Sequence, residues 1–316
     1  MEILDLRHLT ARDFEPLLQE EIELWSKALL WDYSASAGLI RKFMESRSLP
    51  GYAAVEHGRV VAYSFFVYED HKGLIGDLFA TAEYRGPTEE RLLLHVIETL
   101  RGSPGLERIE AQLMMLGSPV LDVVFRRERF QAHTRKFMYL SIGDSTQWKI
   151  SPHDLSDFEF LPWDERYFEE TAALITRAYY DHVDGAINDQ YRSLSGALRF
   201  LRNIIHYPGC GQFHGGAAIL ARHRITRKMH GLILTSTVHP GVGHITQVCT
   251  SPELRGIGLG YELIRRAAVI FHDLGYSGIS LTVTSANTGA VALYERLGFR
   301  LLREFNAYVW DSSWNR

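Results

Sequence analysis

The chain has 316 residues, 46% of them hydrophobic and 23% charged, a globular balance with enough apolar material for two cores. A net charge of −4 supplies no basic field for nucleic acid, and Cys210 and Cys249, the only cysteines, are too few for a disulfide framework and fit a reducing, cytoplasmic setting. The longest apolar run, Val60–Val67, is broken by Tyr63 and Ser64 and falls short of a ~20-residue membrane span, while the charged start at Met1-Glu2 lacks a signal-peptide core.

In chain order, Gly51–Tyr63 reads as a hairpin turning at His57-Gly58. A glycine turn follows at Arg85-Gly86, and Val124–Phe130 reads as a helix end running into a Phe. The polar stretch Ser141–Asp154, with turn formers at both ends, marks a boundary. Beyond it Phe158–Trp163 reads as a strand, Asp164–Tyr180 as an amphipathic helix capped by Asp164, and 190–206 as a second helix. Phe213–Arg222 and His230–Val238 read as paired strands, and Gly243–Thr250 as the next strand. A helix over Gly260–Leu274, a strand over Ile279–Thr284, a helix over Asn287–Leu297 and a closing strand over Phe299–Val309 complete the order.

The most informative segment is the turn Arg255-Gly256-Ile257-Gly258-Leu259-Gly260, between a strand ending at Ser251-Pro252 and a helix. Glycines without β-carbons let the backbone curl and aim several N–H groups at one spot, where the positive end of the next helix adds to the field. Such a turn suits a phosphate or pyrophosphate. It lacks the Gly-Lys-Ser/Thr ending of an NTPase phosphate loop and the spacing of a dinucleotide fingerprint. Arg255-x-x-Gly258-x-Gly260 instead resembles the pyrophosphate loop of the GNAT acyl-CoA-dependent N-acetyltransferases. A second signature agrees: Asn287-x-x-Ala290-x-x-Leu293-Tyr294-x-x-x-Gly298-Phe299. Here Asn287 is a good N-cap, Ala290, Leu293, Tyr294 and Leu297 recur at helical spacing, and Gly298 stops the helix.

The first half resembles a worn copy of the second. Ala82–Gly86 aligns with Pro252–Gly256 at an offset of 170 (255 minus 85), and Val124–Phe130 with Leu293–Phe299 at 169 (299 minus 130). A near-constant offset implies two tandem domains, expected at 1–145 and 155–316. Each is expected to be a GNAT-like α/β domain, a mixed central sheet flanked by helices. In the first copy Pro87-Thr88-Glu89-Glu90 replaces Ile257-Gly258-Leu259-Gly260, Phe125 replaces Tyr294, and Ser118 sits near the Asn287 position. Side chains and two carboxylates then stand where the anion belongs, so this copy is expected to be non-catalytic.

The resemblance implies acetyl-CoA as co-substrate and no metal, since no HExxH, EF-hand or paired-ligand spacing occurs. It implies a pyrophosphate held by the backbone of Arg255–Gly260, main-chain contacts from Val248, Cys249 and Thr250 to the pantetheine arm, and Asn287 anchoring that arm. Tyr294 is expected to be the acid that protonates the departing thiolate. The family's strand glutamate is absent; His244 falls near its position, with His239 and a water chain as rivals for the base. Period-two alternation sets His244, Thr246, Val248 and Thr250 on one face. Tyr179–Asp189, with two tyrosines and three aspartates, lies where the family meets its acceptor, a small-molecule or peptide amine. The competing functions are a mycothiol-synthase-like enzyme acting on an amino-sugar conjugate and a non-catalytic acyl-CoA sensor. Paired GNAT folds also occur in aminoacyl-tRNA-dependent peptidyl transferases, which the acidic charge and the intact loop disfavour.

Overall fold

The computed structural model describes residues 1–116, 119–143, 153–207 and 209–315; Ser118 and much of the expected boundary stretch lie outside them. In chain order the first half holds β1 (Glu2–Asp5), α1 (Ala11–Leu29), α2 (Ser34–Glu45), β2 (Gly51–Glu56), β3 (Arg59–Glu69), β4 (Lys72–Ala80), α3 (Pro87–Arg101), β5 (Arg108–Gln112), α4 (Pro119–Arg127) and β6 (Gln131–Ser141). The second holds β7 (Phe158–Pro162), α5 (Phe168–Ala178), α6 (Val183–Ile187), α7 (Leu194–His206), β8 (Gln212–Phe213), β9 (Ile219–His223), β10 (Met229–His239), β11 (Val242–Thr250), α8 (Leu259–Asp273), β12 (Gly278–Thr284), α9 (Thr288–Arg296) and β13 (Arg300–Asp311).

These elements form two compact units. The first comprises Met1–Ala28, Tyr33–Arg135 and Glu304–Arg316, the second Leu29–Asp32 and Lys136–Arg303. A single cut at 145–155 gives each half its own domain, whereas strand pairing distributes the chain differently. The end of β13 pairs antiparallel with β5, from Ala307↔Gln112 to Asp311↔Arg108, and Tyr308 and Trp310 enter the first unit's core. Met138, Leu140 and Ile142 enter the second unit's core.

Within the first unit β1-β2-β3-β4 pair antiparallel, and β4 runs parallel to β5. The β2–β3 hairpin turns at His57-Gly58 as expected, both residues at positive φ (49° and 75°). Within the second, β7-β9-β10-β11 are antiparallel neighbours and β11 runs parallel to β12. Its sheet buries α8 and α9 residues on one face and α5 and α7 residues on the other.

The two registers repeat residue for residue. Parallel pairing spans Lys72↔Arg108 to Ile75↔Ala111 in one unit and Val242↔Gly278 to Ile245↔Leu281 in the other; 242 minus 72 and 278 minus 108 both give 170. A bulge leaves Gly76 unpaired opposite Phe65/Phe66, and another leaves Thr246 unpaired opposite Leu234/Thr235; 246 minus 76 is again 170.

Three local expectations change. Asp164 caps through Arg166 N (3.0 Å), but a 3-10 turn, Glu165–Tyr167, precedes α5. The helix expected over 190–206 starts at Leu194, where Ser193 Oγ accepts from Gly196 N at 3.1 Å. The strand expected from Phe213 is split by a turn at Gly215–Ala217.

Candidate active site

The seam between β11 and β12 is hydrogen-bonded only as far as Ile245↔Leu281. Beyond it β11 runs on to Thr250, paired on its other side with β10 through Ile233↔Val248, Leu232↔Cys249 and Gly231↔Thr250. One backbone edge past Ile245 therefore has no β12 partner among the described residues. Val248, Cys249 and Thr250 are half-buried along it, so the seam parts where the pantetheine contacts are expected.

The glycine turn follows directly. Ser251 is buried, its N–H donating to His230 O (2.8 Å) and its hydroxyl lying 2.7 Å from His230 Nδ1. Gly256 and Gly258 take φ of 87° and 92°, a region that strains any residue with a β-carbon. The first bond of α8 is Glu262 N to Gly258 O at 3.0 Å, so the N–H groups of Leu259, Gly260 and Tyr261 precede the intrahelical ladder. Backbone N–H groups and a helix dipole converging in this way suit an anion. A β-carbon at Gly258 would lie 2.3 Å from His153 Cγ, whereas at Gly260 it would make only ordinary contacts, 3.7 Å from Leu293 Cδ2. Gly260 is therefore bare for reasons outside the fold's own packing. The Arg255 guanidinium donates to Ala178 O (2.8 Å), tying the turn to the C-terminal end of α5, a role not apparent from the motif.

Across the seam, Asn287 Oδ1 accepts from Ala290 N (3.3 Å), while Asn287 N donates to Thr284 O (2.9 Å). The cap fixes the start of α9 at the end of β12. One helix length on, Tyr294 is buried, and its hydroxyl has no hydrogen-bond partner among the described residues. Burial pushes its phenol above the usual range, with the charges of Asp184 and Cys249 adding to the effect. Burial likewise lifts the Cys249 thiol to about 12, against the opposing pull of Arg177 and Arg255. A thiol at that value is no nucleophile, consistent with a packing and backbone role.

The expected acceptor segment reaches the same place. Tyr179 stacks on Tyr191 at 4.4 Å; Gln247 Nε2 donates to the Tyr179 hydroxyl (2.6 Å), and the Tyr191 hydroxyl donates to Gln247 Oε1 (3.2 Å). The Thr284 hydroxyl donates to Asp184 Oδ1, joining α6 to the far lip of the seam. His182 Nδ1 accepts from Asp184 N (3.2 Å). Of the three aspartates, Asp184 turns inward while Asp181 is exposed. Gln247 and Tyr191 were not expected. A long amide side chain between Ile245 and Val248 was the available signal, but its tyrosine partners are distant in sequence.

The alternation expected along β11 does not hold. The bulge at Thr246 inserts one residue, so Ile245 and Val248 share the α8 side. His244 thereby joins the face of Gln247 and Cys249 rather than that of Val248. It is buried, with Nδ1 2.9 Å from Ser280 Oγ, edge-on to Trp31 (5.0 Å) and stacked on Phe137 (6.0 Å). It sits in the closed part of the seam, three residues before Gln247. His239 lies exposed at the β10–β11 hairpin, its Nδ1 beside Pro240 O.

The first unit shows the same frame with its anion position filled. Gly86 has φ 82°, and its N–H donates to Glu89 Oε2 at 2.8 Å. The chain thus supplies its own carboxylate to the turn, with Thr88 and Glu89 buried there. Asp77, 170 residues before Gln247, accepts from the Tyr33 hydroxyl (2.5 Å), next to Glu21. Phe125 stacks on Tyr308 at 3.8 Å. Among the described residues, no three His, Cys, Asp or Glu side chains are grouped to hold a metal, and no helix is long and apolar enough to cross a membrane.

Comparison with known proteins bears on this geometry. The acetyltransferase (GNAT) family model matches residues 196–299, covering Arg255–Gly260, Asn287 and Tyr294. The chain is 41% identical over 61 residues to a mycothiol acetyltransferase of Pseudarthrobacter chlorophenolicus, which is 19% of each chain. The match thus spans about a fifth of that relative's length. Among solved structures, a GCN5-related N-acetyltransferase from Sphaerobacter thermophilus superposes with TM-score 0.59 at 15% identity, over 91% of this chain and 89% of that one. A tandem GNAT protein from the clavulanic acid biosynthesis pathway gives 0.58 at 14%, over 98% of both. These two likenesses show the fold.

Proposed function

We propose, from the premise that residues 196–299 form a domain of the GNAT acetyltransferase family, that the second unit transfers an acetyl group from acetyl-CoA to a primary amine by direct attack. The observation that carries this reading is the parted β11–β12 seam, with a bare glycine turn at one end and the unpartnered Tyr294 hydroxyl opposite. The pyrophosphate would rest on the N–H groups opening α8. The acyl arm would lie along Val248–Thr250, where a main-chain N–H steadies the thioester oxygen as it gains charge.

In the reaction the amine nitrogen, having lost a proton, bonds to the thioester carbon, and the C–S bond breaks as the carbonyl reforms. The sulfur takes the Tyr294 hydroxyl proton and CoA leaves as the thiol, while the new amide nitrogen sheds its second proton, which returns to the Tyr294 phenolate through water. An amide remains. Burial raises the Tyr294 phenol, but it raises the neighbouring Cys249 thiol as well. A departing thiolate in the same surroundings would become more basic in step, keeping the proton transfer matched. His244 is the proposed base through its place on the Gln247–Cys249 face, a water chain spanning the remaining distance. Asn287 would hold the start of α9 and the pantetheine arm together.

The identity with a mycothiol acetyltransferase favours, as a second reading, an amino-sugar conjugate as acceptor. Calorimetric titration with acetyl-CoA tests the primary reading: one site per chain is expected, weakened in Gly260→Glu. Wild-type protein that binds no acetyl-CoA would overturn it.

A further inference from the structure

On the acceptor side of the seam the Asp184 carboxylate turns inward, and its surroundings specify what it is for. Its side chain is 15% exposed. Oδ1 takes the Thr284 hydroxyl. Oδ2 faces His182 Nδ1 at 3.6 Å, but that nitrogen already accepts the Asp184 backbone N–H and so has no proton to give. Burial holds His182 below the usual imidazole range, Asp184 opposing and Arg255 assisting, which keeps the ring neutral near pH 7. The nearby guanidiniums are committed elsewhere: Arg255 to Ala178 O and Arg177 to Met229 O. Among the described residues no lysine or arginine pairs with Asp184. A mostly buried carboxylate without a cation is unfavourable. Asp184 acts electrostatically on Tyr294, Tyr179 and His182 alike.

We propose that Asp184 binds the acceptor itself, pairing with the ammonium group of an aliphatic amine that is cationic at neutral pH, beside Thr284 and Tyr179. The bound cation supplies the missing counter-charge and brings its nitrogen to the seam. Once the amine loses its proton, attack carries it from Asp184 toward the acyl carbon. The Thr284 hydrogen bond holds the carboxylate on the lip formed by β12, so Thr284 is a positioning residue. Arylamines, neutral near pH 7, gain nothing from Asp184. The inference rests on the acetyltransferase reading above and adds the charge class of its acceptor.

The test uses the full chain with acetyl-CoA at pH 7, following thiol release with phenethylamine and other alkylamines against aniline and other arylamines. For Asp184→Asn, kcat/KM toward alkylamines is expected to fall about tenfold or more, mainly through KM. Arylamine turnover should change far less than alkylamine turnover, acetyl-CoA affinity should hold within about twofold, and Asp184→Glu should restore part of the loss. An equal fall for both amine classes would overturn the inference by making Asp184 a structural residue, and a thermal melt of Asp184→Asn identifies any folding defect behind it. Wild type that binds acetyl-CoA yet acetylates no alkylamine overturns this inference alone. Wild type that binds no acetyl-CoA overturns the acetyltransferase reading, and this inference with it.

Discussion

The turns at Gly86–Glu90 and Gly256–Gly260 lie on one frame, 170 residues apart, each after a bulged strand whose parallel pairing stops at the same step. They differ in who satisfies the helix N-terminus. In the first unit Glu89 folds back onto Gly86 N, and the donors are occupied from within the chain. In the second no side chain caps Gly258. A second contrast runs along the strands: Asp77 sits beside Glu21 in a closed cluster with Tyr33 and Tyr63, while Gln247 bridges Tyr179 and Tyr191 next to the seam. Strand register and core packing are thus the same whether the turn is capped from within, as at Gly86, or left without a side-chain cap, as at Gly258.

The largest expected effect comes from giving the second unit the first unit's aromatic. Tyr294→Phe, which copies Phe125, should lower kcat by about 10²–10⁴-fold with acetyl-CoA affinity unchanged. Steady-state kinetics beside calorimetry checks this, and an undiminished kcat removes Tyr294 as the acid. Gly260→Glu copies Glu90 at a position where a β-carbon makes only ordinary contacts. Like-charge repulsion should weaken acetyl-CoA binding by about 10–100-fold, with the melting temperature nearly unchanged.

The carboxyl cluster separates the units by pH. Burial and the neighbouring Asp77 raise Glu21 well above the ordinary carboxylate range, and burial raises Asp77 too. The folded unit then keeps a proton that the unfolded chain releases. This contribution to stability is complete below the unfolded value and is lost as pH rises through the raised one. Glu21→Gln should flatten that decline by up to about 1.4 kcal/mol per pH unit, measured by urea unfolding across a pH series. A slope as steep as wild type would show that Glu21 holds no such proton. The smallest effect is expected for Glu89→Ala, which removes the Gly86 cap and should cost about 1 kcal/mol of stability. Calorimetry should still count one acetyl-CoA site, because Pro87, Thr88 and Glu90 remain. A second site would mean that Glu89 alone had closed the first turn.

Much of this was legible in the sequence. The glycine turn, the Asn287 cap, the Gly298 stop and the 170-residue offset are written in short windows, where backbone conformation follows from one or two residues. Gly258 must be glycine for its φ of 92° whatever surrounds it, and Asn287 caps α9 through its own neighbours. The alternation along β11 was misread because a bulge leaves little mark in sequence: Thr246 is an unremarkable strand residue, and only the register against Leu234 and Thr235 shows it to be unpaired. The inward turn of Asp184, 100 residues from Thr284, was equally hidden.

By itself, then, the sequence determined the local devices: where helices start and stop, and where glycines take the left-handed turns that precede α3 and α8. Tertiary structure alone decided that Glu304–Arg316 belongs with the first unit and Lys136–Ile142 with the second. It also decided that His244 shares a face with Gln247 and Cys249, and that Arg255 secures α5. The reason is physical. Caps and left-handed glycines are settled by interactions within a few residues, whereas strand partners are chosen by the burial and backbone hydrogen bonding they complete across a hundred residues or more.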